Sequence, residues 1–223
     1  MSVLFTFVTL IFLSSWRTQF DDYRPAMKLS DYGLFEGAVA NLQPAADVLP
    51  YELNSPLFSD YAYKKRFVRL PAGTTVSYNA ENVLDFPVGT VIAKTFYYPA
   101  DMRKPEKDHN LMETRILIHE AAGWKALPYV WNEEQTDAYL DVAGGNKSVQ
   151  WRDEKGKKRK LEYSVPNMNQ CKGCHYRDGK DILPIGPYVR QLNGNFTYDD
   201  GEKNQLTKKK KKEWLIDLPE LTE

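Results

Sequence analysis

The only two cysteines of this chain stand three positions apart, and a histidine follows at once: Cys171, Cys174 and His175 in NMNQCKGCHYRDG. That spacing suits covalent haem attachment. Each thiol adds to one vinyl group on the same edge of a porphyrin. A two-residue spacer brings both sulfurs to that edge from a single turn of chain, and the adjacent imidazole lies under the ring to bind iron. The expectation is one covalent haem c per chain, with Cys171 and Cys174 as thioethers and His175 as the proximal iron ligand.

Other chemistries fit these residues less well. A disulfide across two intervening residues closes a very short loop and constrains the unfolded chain little; it remains the reading for a non-haem structural domain. A structural zinc ion takes four ligands, usually as two such pairs, and there is no second pair. A thioredoxin-like redox motif needs a βαβ setting, and no such pattern surrounds residue 171.

A second axial ligand is harder to place. Residues 176 to 223 contain neither Met nor His. The upstream candidates are Met27, Met102, Met112, Met168, His109 and His119. Met168 is too near Cys171 to reach the opposite side of a ring. His109 lies in the charged stretch KPEKDHN, and His119 on an expected strand, where a hydrogen-bonded structural role is commoner. Either a sheet residue fills the sixth position, which favours electron transfer, or the iron is five-coordinate and small molecules bind.

The elements that must position this tripod read as β. RFVRLP, TVSYN, TVIAKTFYYP, METRILIHE, WKALPYVWN, AYLDV, SVQWRD and KLEYSVP are rich in β-branched and aromatic residues, and turns such as DFPVGT and DEKGKK separate them. They follow one another without intervening helices. The expected fold is therefore mainly β with short helices (α+β): an antiparallel sheet or sandwich at 66–200 carrying the CxxCH. Residues 23–65, rich in Pro and Tyr, predict an extended arm with little regular structure. Residues 201–223 predict a C-terminal helix stopped by Pro219.

The segment 1–22, MSVLFTFVTLIFLSSWRTQFDD, carries an apolar run over residues 3–13. That length matches the core of a secretory signal and is short for a bilayer span. Export to the periplasm or a similar compartment is expected, with membrane contact only through this segment if it stays uncleaved. Lys+Arg and Asp+Glu both total 30. Global charge gives no reason to expect nucleic acid, and no recognition-helix or RNA-binding signature is present. The basic runs at 155–160 and 208–212 predict solvated surface or a docking patch for an acidic redox partner protein.

Within DFPVGTVIAKTFYYP, strand alternation puts Ile92, Lys94, Phe96 and Tyr98 on one face. A lysine between Ile and Phe either snorkels to an edge or meets a special partner. Arg115, on METRILIHE, has the planar fork that suits a haem propionate. Phe96, Tyr98, Tyr129 and Trp131 are candidate pocket walls.

Phe-Pro-x-Gly before the strand with Lys94, then GWKALPYVWN, then a late CxxCH resemble two related groups across roughly residues 66–190. These are the hydroxylamine-oxidising mono-haem cytochromes with a lysine–haem cross-link, and the gas-binding β-sheet cytochromes c-prime. The resemblance implies a haem packed on an antiparallel sheet and five-coordinate iron at rest, with Lys94 where the cross-linking lysine falls. Hydroxylamine, nitric oxide or peroxide would then be the small-molecule ligands. LSDYGLF, YELNSPLFSDYAYKKRFVRLPAG, METRILIHE, WNEEQTDA, NQCKGCH, IGPYVRQLN and DGEKNQL also resemble, in order, a bacterial family of exported, often dihaem, c-type cytochromes. This chain has a single CxxCH.

Overall fold

The computed structural model describes residues 25–177, 181–211 and 214–216. The signal-like segment 1–22 lies outside them, as does Pro219. The strands in chain order are β1 (Val48–Tyr51), β2 (Tyr63–Arg69), β3 (Val76–Ser77), β4 (Val91–Pro99), β5 (His109–Glu120), β6 (Gly123–Trp131), β7 (Ala138–Leu140), β8 (Gly145–Arg152) and β9 (Lys158–Val165). There follow α1 (Met168–His175), β10 (Tyr176–Arg177), β11 (Asp181–Ile182), α2 (Val189–Leu192), β12 (Asn195–Tyr198), β13 (Gly201–Asn204), α3 (Gln205–Lys211) and β14 (Leu215–Ile216).

The fold is mainly β with short helices, as the alternation predicts. Six strands form one antiparallel sheet in the order β1-β2-β4-β5-β6-β7. Its central strands are buried on both sides, so β4 and β5 show long runs of buried positions in place of a clean alternation of buried and exposed ones. On one side Phe67, Ala93, Ile116, Leu127, Tyr129 and Trp131 pack under the N-terminal arm, whose Leu29, Leu34 and Leu42 are buried there. The other side is covered in two parts. The C-terminal segment, through Leu192, Leu206 and Leu215, covers Leu49, Val68, Ile92, Leu117 and Ala126. The β8–β9 hairpin, through Val149, Trp151, Tyr163 and Val165, covers Phe96, Tyr98 and Met112.

Three features differ from the sequence expectation. The arm is not merely extended: it forms two 3-10 turns, Leu29–Tyr32 and Val39–Asn41, and contributes the edge strand β1. Pro50 sits in that strand, which an edge position tolerates. Helix α3 is described over Gln205–Lys211, and Leu215–Ile216, expected within the helix, is instead the strand β14, parallel to β3. The lysine run is not uniformly solvated either: Lys209 is 5% exposed. It falls three residues after the fully buried Leu206, on the same helical face.

Candidate functional site

The cysteines and histidine form most of a two-turn helix, α1. Its start is set by Asn167, whose side chain accepts from the Gln170 backbone N–H at 2.9 Å, while Gln170 Oε1 accepts from the Asn167 N–H at 2.8 Å. Gly144 makes this placement possible. A Cβ there would come within 2.6 Å of Asn167 N and Val165 O, and its φ of +70° is one that L side chains rarely adopt. The helix packs on β6 and β11.

Within α1 the two sulfurs are one turn apart, a rise of about 4.5 Å. Both cysteines are free thiols; Cys171 is buried and Cys174 exposed. Cys171 packs with Leu117, Ala126 and the C-terminal segment on the sheet. Burial raises the pKa of its thiol. His175 is held by two contacts with one residue. The Leu183 N–H donates to the His175 carbonyl at 3.0 Å, and the Leu183 carbonyl accepts from Nδ1 at 2.7 Å. A carbonyl only accepts, so Nδ1 carries the proton and Nε2 presents its lone pair. Burial, and then the charges of Lys94 and Arg115, lower the His175 pKa and favour this neutral imidazole.

Those two cations define the rest of the site. In the sheet register Arg66, Lys94 and Arg115 lie directly across from one another on β2, β4 and β5, and Lys64, Phe96 and Glu113 form the next row on the same face. Lys94 Nζ is 5.0 Å, Arg115 Cζ 4.4 Å and Lys64 Nζ 6.0 Å from the centre of the Phe96 ring. Arg115 grips Glu113 with Nε at 3.0 Å and Nη2 at 2.6 Å, and Tyr163 donates to Glu113 at 2.5 Å. Burial opposes the Arg115 charge, but Glu113 outweighs it and raises the pKa. Arg66 Nη1 meets Glu52 at 2.6 Å. Lys94 has neither hydrogen bond nor ion pair among the described residues. Burial first, then Arg115 and Arg66, bring its pKa down to about 8.

The face therefore brings together Cys171, His175, Lys94, Phe96 and Arg115. Tyr98 shares the face but sits under the hairpin, its ring tilted against Trp151 with centroids 4.9 Å apart and its hydroxyl donating to the Asp60 carbonyl. Tyr129 and Trp131 are corrected: both lie on the opposite side of the sheet. Tyr129 is tied there to Tyr32 and the Ala26 carbonyl, and Trp131 to Thr114. His119 stacks on Trp124 at 4.6 Å and gives Nδ1 to the Phe86 carbonyl. His109 contacts the Pro105 carbonyl and the Tyr97 ring. Met112 is buried under the hairpin, Met168 packs toward the arm side, and Met27 is exposed.

Sequence reasoning missed Glu113, Arg66, Lys64 and the Leu183 carbonyl. The first had a signal: Glu113 and Arg115 are two apart on one strand and must share a face. The Leu183 contact joins residues eight apart with no regular pattern between them and had none.

The donors fit a c-type haem: two thiols on one turn, an imidazole with Nε2 free and Nδ1 anchored, and cations on the facing sheet for its carboxylates. Among the described residues no three His, Cys, Asp or Glu gather as a site for a bare metal ion. Two cavities lie elsewhere. A groove of about 810 Å³ runs along β1 and β2, and a cavity of about 20 Å³ lies beneath Lys209 and Trp214; neither touches the tripod. No family model, curated protein or solved structure matches this chain.

Proposed function

We propose that this chain is an exported mono-haem c-type cytochrome that carries single electrons. Cys171 and Cys174 would hold the haem as thioethers, and His175 would ligate its iron. The observation that carries this reading is the state of His175. Its Nδ1 is bonded to Leu183 at 2.7 Å, which leaves Nε2 as the free donor atom one residue beyond the second cysteine. Bound haem supplies one-electron chemistry at iron. The chain's own residues fix the imidazole tautomer, enclose one thiol, and place Arg115, whose Nη1 is unengaged, for a haem carboxylate. The lysine-rich β8–β9 tip supports docking to an acidic redox partner.

Haem staining on a denaturing gel tests the attachment, using protein made in a host that matures c-type cytochromes. A stained band that disappears in Cys171→Ser/Cys174→Ser is expected. An unstained wild-type band would leave the CxxC as a structural pair in a non-haem domain.

A second reading has its own observation. His109 and His119 are both committed to backbone carbonyls away from His175, and the charged groups acting on His175 are Lys94 and Arg115. A haem held by Cys171, Cys174 and His175 would then bind a small molecule such as nitric oxide, hydroxylamine or peroxide beside Lys94 and Phe96, as in the lysine-cross-linked and gas-binding cytochromes that the sequence resembles. New visible bands on adding nitric oxide support it; unchanged bands leave electron transfer alone.

A further inference from the structure

Three cations directly across from one another on neighbouring strands are an unfavourable arrangement. Like charges opposite each other in a sheet repel, and this sheet is covered on both sides. Arg66, Lys94 and Arg115 occupy such a row, with Lys64 diagonal to Lys94. The carboxylates nearby are already engaged, Glu52 by Arg66 and Glu113 by both Arg115 and Tyr163. Lys64 uses its ammonium on the carbonyls of Leu57 and Ala62. Two positive charges therefore remain in excess, and among the described residues Lys94 has no hydrogen-bond or ion-pair partner. The charges acting on it are three cations and one carboxylate. Apolar packing lies at both ends of the row, the C-terminal segment on one side and the β8–β9 hairpin on the other. Lys94 is half-buried and Arg115 28% exposed, so the row is partly shielded from water yet open to a small ligand.

We propose that Arg66, Lys94 and Arg115 form a binding site for a carboxylate or small oxyanion. The guanidinium of Arg115 keeps one free nitrogen, and Lys94 supplies a point charge with three donors; together they match two oxygens of a planar anion. The anion has two sources: a carboxylate of the haem itself, or a free oxyanion such as nitrite or acetate. The site is built from the sheet and does not depend on the haem reading.

Calorimetric titration with nitrite and with acetate, at fixed ionic strength, separates these sources. It is run on protein purified with its haem and on the same chain made without it. Binding to the haem-loaded protein assigns the site to free oxyanions. Binding to the haem-free chain alone assigns it, in the mature protein, to the haem carboxylates. In either case Lys94→Gln weakens binding about tenfold, Lys94→Arg restores most of it, and Lys107→Gln, at an exposed position, changes nothing. The proposal is overturned if neither form binds, or if Lys94→Gln leaves the affinity within twofold, which would mark ligation by iron alone. Should the purified protein carry no haem, the haem reading fails and this site is tested on the haem-free chain by the same variants.

Discussion

The two faces of the six-stranded sheet are made by alternate residues of the same strands, yet they are built to different ends. On the arm side every buried polar group near the centre is satisfied by a neighbour. The hydroxyls of Thr95 and Thr114 meet at 2.8 Å, Trp131 donates to Thr114 at 3.0 Å, and Tyr32 and Tyr129 share a bond of 2.7 Å. On the other side Lys94 lies between two arginines and has no polar partner among the described residues. Strand alternation lets one sheet hold a satisfied core and a frustrated row of charges only a side chain apart. The first serves stability. The second costs stability, which the anion we propose would offset.

The largest effects should come from breaking each face at its centre. Trp131→Ala, on the satisfied face, should cost about 3–5 kcal/mol in urea unfolding. Glu113→Ala should cost about as much, because it strands Arg115 and leaves Tyr163 without its acceptor. Their difference lies in the spectrum: the tryptophan variant should keep the wild-type haem bands, and the glutamate variant should shift them. Equal spectra would erase the distinction between the faces.

A smaller effect of opposite sign is expected at Lys94. Its folded pKa of about 8 lies below the ordinary 10.5, so the charged form is disfavoured in the native state. Both states are protonated below pH 8, and the full penalty is present there. It fades as pH rises through the window up to 10.5, where the unfolded chain binds more protons. In the haem-free chain Lys94→Met should therefore stabilise at pH 7 by roughly 1–3 kcal/mol and gain little near pH 10.5. A destabilised variant at pH 7 would mean that the row is already balanced.

The smallest change is on the satisfied face. Tyr129→Phe removes a hydroxyl bonded to Tyr32 and to the Ala26 carbonyl, and should cost about 1 kcal/mol with no change in oxyanion binding. A shift in oxyanion affinity would show that the faces are coupled through the sheet.

Much of this contrast was legible from residue order. Strands β4 to β9 follow from β-branched and aromatic runs between turns, and the shared face of Lys94 and Phe96 follows from a period of two. The tripod was evident from spacing alone. What escaped depends on pairings distant in sequence. Strand β1 hides in a proline-rich arm because VLPY is short and gains its strand character by pairing with β2. The side of the sheet taken by Tyr129 and Trp131 follows from how β6 pairs with β5, which no local pattern displays. Lys209 lies in a run of lysines, where only its helical phase relative to Leu206 marks it as buried.

The central claim is that the imidazole of His175 binds the iron of a haem stapled to Cys171 and Cys174. The visible spectrum of purified His175→Gly, recorded before and after adding free imidazole, tests it most directly. A haem-bearing protein is expected whose native ligand bands are lost and then restored by imidazole. A wild-type spectrum in the variant without imidazole, or a colourless wild-type protein, would contradict it.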